Sequence, residues 1–197
     1  MTRTADEIID LICKASAKAV ARYVEISEAK GPNLTIPEFY LPSFTFTELG
    51  SQFVMTLELN KRTLRNYGEL ESAPIRAGRV DLAVFADDAG SGKLLSMLIE
   101  YKLWNPEHAQ VDLDELREIQ GLINCPAVAI CCLVNAGVNS IWMKEREGAE
   151  LNALPGAKFV KHGVPHMHGF EDHSVYAVLF CGLQRQRDAF HPSDHGA

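Results

Sequence analysis

The sequence predicts an α/β protein in which a mixed β-sheet is flanked by helices and an N-terminal helix precedes the sheet. Three observations lead to this fold class. The first 30 residues carry apolar side chains at helical spacing. Two apolar runs, at 79–86 and 94–104, flank a Gly-rich turn and predict a hairpin. The run "AVAICCLV" at 127–134 is continuously apolar, as is typical of a strand covered on both faces.

Composition excludes several classes of protein. The chain has 197 residues, of which 47% are hydrophobic and 23% charged, as in an ordinary globular domain. The formal net charge of −7 argues against a broad non-specific nucleic-acid coat, although it leaves room for a local groove. No apolar run reaches the length of a membrane span, and no signal-peptide pattern opens the chain. The five cysteines include no CxxC pair, so we expect reduced thiols, a cytoplasmic location and no membrane partner.

The N-terminal third is predicted to be mainly helical. A capping box at Thr4–Glu7 starts a long amphipathic helix that Gly31-Pro32 closes. The prolines in 33–44 predict an extended connector. A second helix should start near Thr45 or Thr47 and run to about Arg65, because Leu49, Phe53 and Leu57 recur every four residues. Segment 66–75 is then expected to be the first strand, with a turn at Ala77-Gly78.

After the hairpin, the chain is predicted to alternate between helices and strands. A capping box at Asp112–Glu115 should begin a helix whose buried face includes Leu116 and Ile119. The strand at 127–134 follows, then a helix at 139–153, and strands in "KFVKH" and "SVYAVLFCGL". We expect a single domain over 1–197, with its parts being the N-terminal helix (1–31), the core (44–135), an additional helix and strands (136–184), and a tail (185–197).

Three ionisable residues interrupt the apolar runs of the hairpin. Glu100 and Lys102 should share one face of their strand, because side chains two residues apart point the same way. A turn centred on Gly90-Ser91 makes residues whose numbers sum to about 181 neighbours, and therefore places Asp81 opposite Glu100 at about 5 Å. Carboxylates that close repel each other unless a divalent cation binds or a pKa rises. Two carboxylates and a lysine predict a hydrolytic metal site.

The stretches "RVDLAVF" and "LIEYK" resemble the signature of the PD-(D/E)XK nuclease superfamily, which has the restriction-endonuclease-like fold. Asp81 matches the aspartate of its first motif, Glu100 the second acid and Lys102 the lysine, while Val80 stands in place of the proline. The resemblance covers roughly 44–135. It implies Mg²⁺-dependent phosphodiester hydrolysis, with Mn²⁺ as a substitute. Asp81, Glu100 and the backbone carbonyl of Tyr101 would bind the metal, and Lys102 would orient the attacking water.

The resemblance also implies an acid on the helix before the first strand, for which Glu48 and Glu58 are candidates. A helix ending near Arg65 and running back along the strand would reach the level of Asp81 after about 15 residues at about 1.5 Å each. This geometry favours Glu48, which would bind metal through water. Alternatively, Glu48 belongs to the capping box "TFTE" and serves only its own helix.

Other functions stay open at this point. The expected partner is nucleic acid, DNA before RNA, and a homodimer would suit double-strand cleavage. A rival hypothesis is a non-catalytic nucleic-acid- or protein-binding module that keeps the nuclease fold, which the acidic charge favours. Another is a transition-metal site formed by His162, His166, His168 and His173. We prefer a polar surface loop for that segment, because no cysteine stands at ligand spacing.

Overall fold

A computed structural model describes residues 3–27, 36–37, 39–67, 78–88, 92–103, 106–123, 125–135, 157–165 and 173–181. The helices are α1 (Ala5–Ser27), α2 (Tyr40–Leu49) and α3 (Pro106–Ile123), and a 3-10 helix spans Lys61–Tyr67. The strands are β1 (Val54–Asn60), β2 (Arg79–Asp88), β3 (Gly92–Leu103), β4 (Ala127–Asn135), β5 (Ala157–Gly163) and β6 (His173–Cys181). None of the helices in these ranges is long and apolar enough to cross a membrane.

The six described strands form one mixed sheet in the order β1-β2-β3-β4-β6-β5. Strands β3 and β4 run parallel, and the other neighbouring pairs are antiparallel. Helix α1 packs on β5, β6 and α2, while α3 packs on β3 and β4. The two helix layers cover separate apolar cores on opposite faces of the sheet. The predicted α/β class, with a mixed sheet between helices and a long N-terminal helix, is confirmed.

Helix α1 begins at the predicted capping box. The backbone N–H of Thr4 donates to Oε2 of Glu7 at 2.8 Å, and the N–H of Glu7 donates to Oγ1 of Thr4 at 3.3 Å. Its apolar side chains recur at helical spacing, and Ile9, Ile12 and others on the same side are fully buried. The helix is therefore a structural layer of the main core.

The predicted second helix exists, but its predicted bounds are wrong, and the predicted extended connector is wrong from Tyr40 onward. Helix α2 begins at Tyr40 and ends at Leu49, and the residues from Val54 form a strand instead. Pro42 lies in the first turn of α2, where its missing N–H costs no hydrogen bond. The four-residue spacing of Leu49, Phe53 and Leu57 imitated a helix, because β1 is also rich in apolar residues.

The hairpin has the predicted register close to the candidate site. Leu82 pairs with Ile99 and Val84 with Met97, as numbers that sum to 181 require. A bulge beyond Val84 then shifts the register by one residue, while the predicted turn at Gly90-Ser91 lies outside the described residues. The outer neighbour of β2 is β1, and not the predicted strand at 66–75, whose residues from 68 onward lie outside the described ranges.

The later elements follow the predicted order. Helix α3 begins at Pro106, earlier than the capping box at Asp112–Glu115 predicted, so these acids lie inside the helix. Strands β4, β5 and β6 occupy the predicted apolar segments. The predicted helix at 139–153 and the tail lie outside the described residues.

Candidate active site

The candidate site lies where one face of β3 changes from apolar to charged. Leu98 is fully buried in the core against α3, together with Leu116 of that helix. The next two residues on this face are Glu100 and Lys102, and both make ion pairs on the α3 side of the sheet. The site therefore sits at the end of a packed core, on a strand whose position is fixed by neighbours on both sides.

Asp81 and Glu100, the acid pair, are brought together by the hairpin. The backbone ladder between β2 and β3 extends to Leu82 and Ile99, and beyond it Oδ2 of Asp81 accepts the N–H of Tyr101 at 2.7 Å. The Asp81 side chain thus takes a hydrogen bond from the neighbouring strand and is held against it. The Asp81 side chain also lies close enough to Glu100 to raise the pKa of that carboxyl group. Two carboxyl groups this close favour a proton on one of them.

Burial and charge explain why this proton is held. Glu100 is only 6% exposed. Burial, followed by the neighbouring charge of Asp81, raises the pKa of Glu100 to about 8, although Lys61 opposes the shift. Glu100 therefore keeps its proton at neutral pH. A divalent cation bound between the two groups would stabilise their ionised forms, lower the pKa of Glu100 and displace the proton.

Tyr101 anchors the strand between the two acids of the site. Its ring lies on the opposite face of the sheet, fully buried, and its hydroxyl lies 3.5 Å from Oγ of Ser16, which in turn lies 3.2 Å from Oγ1 of Thr45. Its N–H points towards β2, and because the N–H and C=O of one strand residue point to the same side, its carbonyl also faces the side of Asp81. The carbonyl oxygen predicted to bind the metal therefore faces β2, the strand that carries Asp81.

Lys102 is held on the α3 side of the sheet by an ion pair with that helix. Its Nζ lies 2.8 Å from Oδ2 of Asp112, and both side chains are about a quarter exposed. That oxygen is buried and accepts no hydrogen bond of normal geometry within the described residues, so the contact is chiefly electrostatic. The negative charge of Asp112 also contributes to the raised pKa of Glu100, which places it close to the acid pair.

A second lysine, which sequence reasoning missed, lies at the same site. Lys61 begins the 3-10 helix after β1 and is 7% exposed. Its Nζ lies 3.5 Å from Oε1 of Glu100 and 3.1 Å from Oε2 of Glu115 on α3. The sequence signal was that Lys61 directly follows β1, a strand in which apolar and polar residues alternate. The signal was missed because those residues were assigned to a helix.

Glu48 pairs with a lysine of α1. It is on α2, and its Oε1 lies 2.7 Å from Nζ of Lys18 on α1, with both side chains exposed. The argument for Glu48 used a helix running to Arg65, and no such helix exists. Glu58 lies on β1, at the position opposite Asp81, with a positive φ of 53°, and its Oε2 is 3.4 Å from Arg79.

The histidine segment is only partly described. His162 lies on β5 with Nε2 2.8 Å from Oδ1 of Asp10 on α1, and His173 begins β6. His166 and His168 lie outside the described residues. Within the described ranges, no group of three or more His, Cys, Asp or Glu side chains is arranged to hold a metal ion.

The residues at the acid pair nonetheless fit a small, hard cation. Two carboxyl groups and a backbone carbonyl are oxygen donors, and Mg²⁺ binds with few protein oxygens and several waters. Comparison of the chain with protein-family models, curated proteins and solved structures gave no significant match. The argument for a function therefore depends on the geometry of the site.

Proposed function

We propose that this protein is a metal-dependent nuclease of the PD-(D/E)XK type that hydrolyses phosphodiester bonds in nucleic acid, with DNA as the first substrate to test. The observation that carries the proposal is the placement of Asp81 and Glu100 on adjacent strands of one hairpin. Oδ2 of Asp81 accepts the N–H of Tyr101 at 2.7 Å, and Lys102 follows Glu100 on the same face of the sheet. Like-charged side chains rarely share a buried position without a functional reason.

Each residue of the site has a distinct role in this proposal. Asp81, Glu100 and the carbonyl of Tyr101 would hold Mg²⁺, with Mn²⁺ as a substitute. When bound, the cation supplies polarisation of the phosphate and a more acidic water. Lys102 is placed to orient the attacking water and to offset charge that develops on the phosphate. Asp112 holds the lysine in position until the substrate competes for it.

The net charge of −7 limits how the substrate binds. Affinity for nucleic acid comes largely from the neutralisation of phosphates, so binding should be weak and should fall steeply as salt rises. Cleavage of both strands of a duplex calls for two sites, and a homodimer would provide them. Assays therefore need low salt and must include single-stranded, duplex and branched DNA as well as RNA.

The test is cleavage by purified protein with Mg²⁺ or Mn²⁺, and its loss on chelation. Lys102→Ala should retain cation binding but lose about 10²- to 10³-fold in rate, the usual effect of removing one group that stabilises developing charge. Asp81→Asn should weaken cation binding as well. Lys18→Ala is the matched control, because this lysine is also paired with a carboxylate but lies on the α1 side. Equal cleavage by wild type and Lys102→Ala would indicate a contaminating nuclease.

A non-catalytic binding module is the second candidate. It is favoured by the pairing of both Lys61 and Lys102 with acids of α3, an arrangement that compensates the lysines internally. In that case a nucleic acid or a protein would bind without being cut. Cation binding without cleavage of any substrate in the panel would support this candidate over the nuclease.

A further inference from the structure

Lys61 is the most deeply buried charged group at the candidate site apart from Glu100, among the residues the structure describes. Its ammonium group stands between a carboxylate of the sheet and one of α3, at 3.5 Å from Glu100 and 3.1 Å from Glu115. A buried lysine is costly unless it is paired, and this one has two acidic partners. Its positive charge next to the acid pair will therefore repel any cation that binds there.

The Lys61 side chain runs alongside Gly78. The N–H of Lys61 donates to the carbonyl of Gly78 at 2.9 Å. A Cβ added to Gly78 would lie only 3.4 Å from Cδ of Lys61 and 3.7 Å from its Nζ, and the φ of +152° at Gly78 disfavours any other residue. The lysine thus runs along bare backbone towards Glu100.

We propose that Lys61 is a positioning residue that acts as an internal counter-ion of the acid pair, and that a divalent cation must compete with its ammonium group for Glu100. Lys61 would thereby set the cation affinity of the site. The inference builds on the proposed function, since the cation is the one that the nuclease would use.

Glu115 makes this competition reversible. It lies closer to the ammonium than Glu100 does, and it is on a different element of the fold. When a cation occupies the acid pair, Lys61 can keep its contact with Glu115 while it gives up Glu100, so no buried charge is left unpaired. Without Glu115, the ammonium would depend on Glu100 alone and would oppose the cation more strongly.

The experiment is calorimetric titration of magnesium chloride into the metal-free protein, with no nucleic acid, at pH 8.5 to limit competition by protons. Removing a positive charge a few ångströms from a bound cation removes a repulsion of several RT even at high effective dielectric, so Lys61→Met should bind Mg²⁺ at least about tenfold more tightly. Lys61→Arg keeps the charge and should not bind it more tightly than wild type. Glu115→Gln should bind it more weakly than wild type.

The outcomes separate the inference from the nuclease proposal. Folding of each variant is checked by circular dichroism, and if Lys61→Met does not fold, Lys61→Gln and Glu115→Gln decide the result. Unchanged or weaker Mg²⁺ binding in the folded Lys61→Met or Lys61→Gln protein overturns the inference, even if the wild type cuts DNA. Absence of Mg²⁺ binding in every variant also overturns it. Tighter binding by the uncharged variants, together with no nuclease activity in the wild type, supports the inference and contradicts the nuclease.

Discussion

The two faces of β3 differ in a way that explains how the candidate site is held. Met97, Ile99 and Tyr101 point towards α1 and α2, and all three are fully buried. On the other face, Leu98 is equally buried, but the next two positions carry Glu100 and Lys102. One face of β3 is therefore apolar and buried as far as Tyr101, whereas the other face is apolar only as far as Leu98 and then carries Glu100 and Lys102.

The difference shows how a fold can tolerate an unfavourable acid pair. The closed face anchors the strand at Tyr101, the residue that lies between the two charged positions. The charged face can then keep two carboxyl groups in contact, although their repulsion and burial are unfavourable when both are ionised. Functional sites commonly carry such local instability, which the rest of the fold offsets.

The largest effect that would separate the faces is a pH-dependent loss of stability from Glu100. The pKa of Glu100 is raised from its ordinary 4.5 to about 8, chiefly by burial. Between these values the folded protein keeps a proton that the unfolded chain has lost, so the contribution of Glu100 to stability is greatest at low pH and falls as pH rises towards 8. At about 1.36 kcal/mol for each pKa unit, the loss is on the order of 5 kcal/mol.

Chemical denaturation at pH 5 and pH 8.5, in the presence of a chelator, measures this loss. Glu100→Gln cannot ionise, so the wild type should lose several kcal/mol more than this variant between the two pH values. Other groups titrate equally in both proteins and cancel in the comparison. Parallel pH profiles would mean that the carboxyl groups are not coupled, and the contrast between the faces would be lost.

The next largest effect tests the apolar part of both faces. Ile99→Ala and Leu98→Ala each remove a fully buried side chain, and each should cost about 3 kcal/mol at either pH. The two losses should be similar, because at this level of β3 both faces are closed core. A much smaller loss for Leu98→Ala would show that the face towards α3 is already loosely packed before the charged positions begin.

A smaller effect is expected at the anchor of the strand. Tyr101→Phe removes a buried hydroxyl that contacts Ser16, and should cost about 1 kcal/mol in unfolding free energy. The backbone N–H that donates to Asp81 remains, so Mg²⁺ affinity should stay within about twofold of the wild type. A large loss of Mg²⁺ affinity would mean that the hydroxyl, on the far face of the sheet, helps to position the acid pair.

The sequence predicts the parts of the site that depend on local geometry. Asp81 and Glu100 belong to one hairpin, so strand periodicity and one turn position were enough to place them opposite each other. Lys102 follows from the same periodicity. These relations hold whatever packs on the sheet, which is why the predicted register near the site is correct despite the errors elsewhere.

The parts that depend on tertiary packing could not be predicted in this way. Lys61, Asp112 and Glu115 meet the hairpin only because the 3-10 helix and α3 pack on the same face. The assignment of β1 to a helix had a second cause. Apolar residues of the short helix α2 and the seven-residue strand β1 recur every four positions, which is also the pattern of one long helix. Nothing local distinguished the two cases.

The smallest expected effect concerns Glu48, which sequence reasoning placed at the site. Glu48 pairs with Lys18 on the surface of the α1 side, and an exposed pair of this kind contributes about 0–0.5 kcal/mol. Glu48→Ala should therefore leave thermal stability, Mg²⁺ affinity and any nuclease activity within error of the wild type. Glu58→Ala is the informative partner, because Glu58 lies on β1 between Leu57 and Leu59, whose partners Leu82 and Val80 flank Asp81, and it is the other candidate for the third acid. A loss of Mg²⁺ affinity in Glu48→Ala, but not in Glu58→Ala, would mean that α2 reaches the acid pair in the metal-bound protein, and the separation of the two faces would not hold.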